Sequence, residues 1–172
     1  GGGTEEQKQL WLPRIASGAL MVAISVTEPD VGSDVAAVKC RAEREGDTWL
    51  VSGPKAWCTF AGRADLIALL ARTDPDASKA ARGLSLFMVE KERFPGHSFE
   101  MRQPGGGRIV GKADATPGYR GMHSFTLNFE RYRVPAANLV GGEGGVGRGF
   151  YLQMAGFAAG RLQTGGRACG LA

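Results

Sequence analysis

Two short stretches hold the residue types from which a binding site can be built. In Met21–Asp34, MVAISVTEPDVGSD, an apolar run gives way at Thr27-Glu28-Pro29 to the polar turn Asp30-Val31-Gly32-Ser33-Asp34. Pro29 has no N–H to donate and biases Glu28 away from helix. The run therefore ends as a strand, and backbone N–H groups with the Thr27 and Ser33 hydroxyls are left pointing outward. Donors of this kind suit an anion or a heteroaromatic ring. In Gly53–Gly62, GPKAWCTFAG, Trp57 and Thr59 lie two apart and would share one face of a strand. An indole beside a hydroxyl can flank a planar ring and hydrogen-bond its edge. Each feature alone has a plainer reading, as a strand with a polar turn, a core tryptophan or a strand threonine. Together they predict a wall for a flat heteroaromatic ring.

Other chemistries find less support. His97 and His123 lie in loop-like sequence without a nucleophile elbow and read as surface histidines. Cys40, Cys58 and Cys169 show no metal-type spacing and read as reduced, intracellular thiols, and no His/Cys/carboxylate cluster predicts a metal site. Gly142, Gly144 and Gly147 spell G-x-G-x-x-G, but a dinucleotide site needs a following strand and an acidic residue, and no Asp or Glu follows Glu143. That stretch reads as a flexible linker. Residues 1–92 hold 11 Lys/Arg against 13 Asp/Glu, and residues 93–172 hold 10 against 4. The basic residues of the second half (Arg93, Arg102, Arg108, Lys112, Arg120) are scattered singly, which argues against a nucleic-acid groove and for a solvated surface or a small polyanion. No apolar run approaches a membrane span and no signal peptide opens the chain.

The elements that would present these residues are mostly strands. Thr4-Glu5-Glu6-Gln7 is a capping box opening a short helix with Leu10, Trp11 and Ile15 on its apolar side, disturbed by Pro13 and ended by Gly18. Met21–Val26, the alternating Val38–Glu43, Thr48–Val51, Trp57–Phe60, Asp65–Ala71, Gly83–Val89, Ser98–Arg102 and Ser124–Val134 read as strands. Thr73–Arg82 and Gln103–Gly118 read as surface loops, the second flanking or covering an opening. Phe150–Leu162 reads as a helix that Gln163–Ala172 extends despite Gly165 and Gly166. Many short strands with Gly/Pro/Asp turns predict a mainly β fold, an antiparallel barrel or sandwich with a helix at each end.

Along nearly its whole length the sequence resembles the acyl-CoA dehydrogenase family. Thr4–Gln7, Trp11-Leu12-Pro13, Ala16-Ser17-Gly18, Thr27-Glu28-Pro29, Gly32-Ser33-Asp34, Lys55, Trp57, Thr59, Ala71-Arg72-Thr73-Asp74-Pro75 and Val134-Pro135-Ala136 fall in order. A TEP-x-x-GSD followed by K-x-W-x-T is a specific combination. The resemblance implies a division into residues 1–19, the end of an N-terminal helical domain; 20–140, a middle β domain; and 141–172, a glycine-rich linker with the first helix of a C-terminal bundle. It implies FAD contacts at Val26, Thr27, Gly32 and Ser33, with Ser33 also near the acyl-CoA thioester arm. Trp57 and Thr59 would sit against the isoalloxazine, Thr59 near its reactive edge.

The implied activity is α,β-dehydrogenation of acyl-CoA by an FAD-dependent homo-oligomer. An electron-transfer flavoprotein or similar acceptor would take the electrons, in the cytoplasm or, in a eukaryote, the mitochondrial matrix. An acyl-CoA oxidase, a flavin monooxygenase and a binding module that lost its flavin are the competing expectations. The family's catalytic Glu occupies one of two places. The earlier one matches Gly160, ahead of Arg161, so no catalytic residue is expected here and the chain alone is expected to be an inactive fragment. Ser25 stands where a smaller residue or Cys is usual, Asp30-Val31 where small residues are common, and the Gly105–Gly118 loop is longer than usual.

Overall fold

The computed structural model describes residues 2–118 and 121–172, so Arg120 lies outside the described residues. Helix α1 (Glu5–Ala16) opens with the capping box: the Gln7 N–H donates to Thr4 Oγ1 at 3.3 Å and the Thr4 N–H to Gln7 Oε1 at 3.0 Å. The same side chain docks the helix. Buried Gln7 donates through Nε2 to the Ala137 and Leu139 carbonyls, each at 2.7 Å, and its Oε1 accepts the Gly141 N–H at 3.0 Å. The helix runs through Pro13 without breaking, and the chain leaves it at Gly18, whose φ is 76°. Trp11 is buried, whereas Leu10 is half exposed and does not belong to the apolar side.

Eight strands follow: β1 (Val22–Ser25), β2 (Arg41–Glu45), β3 (Thr48–Thr59), β4 (Leu66–Arg72), β5 (Leu84–Glu90), β6 (Ser98–Arg102), β7 (Arg108–Ala113) and β8 (Ser124–Pro135). They form one sheet in the order β1-β4-β2-β3-β8-β7-β6, with β5 along β4. The ladders are antiparallel except for β1, which lies parallel to β4 with Val22 opposite Leu66, and a single parallel bridge from Arg41 to Arg72. Alternation drives burial: in β8, Phe125, Leu127 and Phe129 are buried while Thr126, Asn128 and Glu130 are exposed. Phe87 and Val89 of β5 share one core with Phe99 and Ile109 from the far end of the strand order, so the sheet curls on itself. Tyr132 Oη, from β8, donates to the Glu90 carbonyl of β5 at 2.9 Å across that curl.

Other sequence readings also need correction: the strand read as Val38–Glu43 starts only at Arg41 and runs to Glu45. Thr48–Val51 and Trp57–Phe60 are not separate strands; β3 is one 12-residue strand carried past Gly53-Pro54 by irregular register on β8. Gly53 has φ 136°, and a Cβ there would lie 2.9 Å from Cys40 Cα, so only glycine lets the segments cross that closely. Gln103–Gly118 is not all loop: Gly105 and Gly106, with φ 90° and 98°, turn β6 into β7. Gly111 hid β7 from the sequence pattern because the Phe99 ring occupies the space a side chain would fill, 2.2 Å from a built Cβ.

The glycine-rich stretch contains a 3-10 turn at Gly142–Gly145, and the Gly147 N–H donates to Ser85 Oγ at 2.9 Å. Helix α2 (Gly149–Leu171) continues through Gly165 and Gly166. Its Phe150 and Phe157 pack on a small cluster of Val26, Val31, Val38, Leu70 and Leu84. Among the described residues no helix is long and apolar enough to cross a membrane.

Candidate functional site

The end of β1 and the middle of β3 are laced together. Glu28 and Val31 exchange backbone hydrogen bonds at 2.9 and 3.1 Å, closing the Thr27–Val31 turn, and the Val31 side chain plugs into the cluster under α2. The Ala56 N–H donates to the Thr27 carbonyl at 2.8 Å. Beneath this turn lies a buried ion pair, Lys55 Nζ to Glu28 Oε1 at 2.9 Å, with side-chain exposures of 0% and 4%. Lys55 Nζ also donates to the Val26 carbonyl at 2.9 Å, and the Glu28 carboxylate accepts the Lys39 and Cys40 N–H groups at 2.9 and 2.8 Å. Every charge-bearing atom there is satisfied, so Glu28 is structural rather than a poised base.

Register on β8 slips between Lys55 and Cys58, leaving Ala56 and Trp57 together opposite Thr126. Trp57 takes φ 57° there, a left-handed conformation that costs a tryptophan about 1–2 kcal/mol. The indole is 60% exposed, in contrast to buried Trp11 and Trp49. Strain combined with exposure of a large aromatic marks a position held for something other than packing. Thr59, two residues on, is also exposed, and its hydroxyl lies 3.2 Å from Ser124 Oγ. Trp57 and Thr59 thus share a side, as their spacing predicts.

A groove of about 800 Å³ runs along this side and gathers Val26, Thr27, Trp57 and Thr59 with β1, Phe60, Met122, and Phe157 and Gln163 of α2. Gly32 and Ser33 lie outside its lining, further along the exposed turn; a Cβ built on Gly32 meets nothing within 4 Å. Val26 is buried, whereas the Thr27 hydroxyl has no hydrogen-bond partner among the described residues. The described lining contains no carboxylate. The arrangement fits a flat ring: apolar surface on its flank, and hydroxyls with spare capacity at its edge. Thr59 and Ser124 use one of their two hydroxyl protons on each other, which leaves the other to donate. A second hollow, about 630 Å³ between α1 and α2, is lined by Gln7, Trp11 and Ile15 but by none of the residues expected to contact cofactor or substrate.

Ser25 of β1 lies 3.1 Å from Cys58 Sγ with both side chains buried, and burial pushes the Cys58 thiol up to about 11 and Cys40 to about 12. His97 and His123 lie at the surface, as the sequence reads them, but they are not independent of each other. Their Nε2 atoms are 3.0 Å apart and their rings meet edge to face, beside Thr59, because the His123 carbonyl accepts the Phe60 N–H at 2.8 Å. No spacing rule foretells that contact, since the two residues come from loops joined only by the sheet. Among the described residues no group of three or more His, Cys, Asp or Glu could hold a metal ion. Sequence reasoning also missed the Glu28–Lys55 pair. The signal available was a Glu and a Lys at the two predicted wall segments.

Comparison with known proteins places these features in a family. Residues 23–132 match the model for the acyl-CoA dehydrogenase middle domain. The (2S)-methylsuccinyl-CoA dehydrogenase of Cereibacter sphaeroides is 42% identical over 99% of this chain, and the mitochondrial isovaleryl-CoA dehydrogenase of Pongo abelii is 37% identical over 98%. The chain spans 30% and 36% of the lengths of those two relatives. The crystal structure of an acyl-CoA dehydrogenase from Geobacillus kaustophilus superposes with a TM-score of 0.73 at 37% identity, covering 88% of this chain and 36% of that one.

Proposed function

The chain belongs to the acyl-CoA dehydrogenase family, and from that premise we propose that it forms the flavin- and thioester-facing part of an FAD-dependent enzyme that carries out α,β-dehydrogenation of acyl-CoA. In this reading residues 20–140 are the middle β domain, flanked by the end of one helical domain (1–19) and the opening of another (141–172). The observation that carries it is the strained, exposed Trp57 beside Thr59 and Thr27 along one groove. When bound, FAD supplies the acceptor for the hydride that leaves the thioester β-carbon.

The α C–H is far too weak an acid to lose its proton to a carboxylate in water, so the wall's contribution is exclusion of water and fixed orientation. The Trp57 indole covers the ring's flank. Thr59, paired with Ser124, offers one hydroxyl proton at the ring's edge. Val26 and Thr27 line the strand end against which the ring lies. Gly32 and Ser33 present the open turn to the cofactor's remainder, and Ser33 to the thioester arm. The described lining offers no carboxylate as base, so we assign no catalytic residue to this wall. The enzyme would be a homo-oligomer that passes electrons to an electron-transfer flavoprotein, in the cytoplasm or mitochondrial matrix.

The test is Thr59→Val in the FAD-loaded protein that carries this chain. Loss of the hydroxyl removes an edge hydrogen bond, so the flavin absorbance and midpoint potential are expected to shift while the fold, read by circular dichroism, stays. A flavin with unchanged spectrum and potential, or a protein that takes up no FAD, overturns the reading.

A further inference from the structure

We propose that Glu28 and Lys55 are positioning residues: a buried clamp that holds the backbone of Trp57 in its left-handed conformation and thereby fixes the wall of the groove. The flavin consequence rests on the function proposed above; the effect on the backbone does not.

Volume alone does not account for this pair. A buried ion pair is commonly replaceable by apolar side chains of similar size with no loss of stability, because desolvation offsets the attraction. These two side chains do what an apolar pair could not. Their hydrogen bonds go to backbone groups of two segments, the Val26 carbonyl at the end of β1 and the Lys39 and Cys40 N–H groups ahead of β2, and tie both to β3, which carries Lys55. The next residue, Ala56, donates its N–H to the Thr27 carbonyl. Residues 55 and 56 are thus both tied to the β1 end, while β3 rejoins its register on β8 only at Cys58. The turn of the chain between those two attachments falls on Trp57, the residue at φ 57°. Among the described residues no other hydrogen bond joins Lys55 to Val26, so without the clamp the β1 end keeps only the Ala56–Thr27 hydrogen bond and the Ser25–Cys58 contact with this part of β3, and an ordinary extended conformation at Trp57 becomes accessible.

The double variant Glu28→Gln with Lys55→Met removes both charges and keeps the volumes, so no unpaired charge is left buried. In flavin-free protein, the Ala56 amide is expected to exchange roughly tenfold or more faster, from loss of about one hydrogen bond's protection. Emission of Trp57, the one exposed indole of three, is expected to change in wavelength and quenching. The amides of Leu69 and Leu70 in β4 should keep their protection, which a general loss of stability would not allow. A folded double variant with native Ala56 exchange and native Trp57 emission overturns the clamp.

A second measurement leaves the clamp intact and so does not depend on that variant folding. Trp57→Gly should melt at a higher temperature than Trp57→Ala, because glycine alone is free at this φ; equal melting, or a higher value for alanine, also overturns it. With FAD added, the double variant should bind at least roughly tenfold more weakly, one hot-spot contact being worth that much. If wild type takes no FAD while Ala56 and Trp57 respond as stated, the clamp stands and the flavin reading falls. If wild type binds FAD and the backbone signals do not move, the reverse holds.

Discussion

Thiol reactivity separates the cysteines by environment rather than by type. Cys40 and Cys58 are buried in the core, and burial holds their thiols near 12 and 11, so almost no thiolate exists at neutral pH. Cys169 is exposed on α2. A thiol reagent added to the native protein is therefore expected to label Cys169 promptly and the other two only after denaturation, which mass spectrometry of the labelled peptides would report. Prompt labelling of Cys58 would mean that the β1–β3 junction opens far more often than its burial and its contact with Ser25 imply.

Elements here are fixed by close approach and by a few anchoring side chains. Helix α2 begins where a Cβ on Gly149 would stand 2.3 Å from the Ser85 carbonyl carbon and 2.5 Å from the Leu86 nitrogen. Backbone cannot yield as a flexible side chain can, so Gly149→Ala should lift α2 off β5 and cost about 1–3 kcal/mol by overpacking, measurable by urea denaturation. The parallel start of β1 on β4 depends on Asp65, which accepts the Met21 N–H at 2.7 Å and both Nε and Nη2 of Arg93 at 2.6 and 2.7 Å. The hydrogen bonds from Arg93, with the lesser help of the Met21 N–H, hold its carboxyl below the ordinary carboxylate value. A depressed carboxyl stabilises the fold above its unfolded-state value, and that contribution disappears as pH falls through the folded-state value. Asp65→Asn should accordingly lower the melting temperature at neutral pH and narrow the gap to wild type in acid. A gap that stays constant with pH would show that the charge is not what anchors β1.

At the scale of the whole molecule, the curl of the sheet brings its two ends into one core, with Tyr132 bonded to Glu90 across it. Removing only the hydroxyl, Tyr132→Phe, is expected to cost about 1 kcal/mol, and Tyr132→Ala about 3–5 kcal/mol through the cavity it leaves. Similar losses for the two variants would place the main effect in the hydrogen bond rather than in the packed ring. The sequence by itself determined the strand class, the capping box at Thr4, the alternation of β8 and the family motifs, because each rests on local spacing: period two, a three-residue box, a proline after a strand. It marked Trp57 and Thr59 as a pair for the same reason. It could not reveal β7, whose central glycine exists to admit the Phe99 ring. Nor could it join β3 across Gly53-Pro54, a close passage that depends on Cys40 of another segment. The Glu28–Lys55 clamp and the His97–His123 contact link residues 27 and 26 positions apart. Contacts of that separation leave no period in the chain; they exist only once hydrophobic burial has curled the sheet and fixed which strand ends meet.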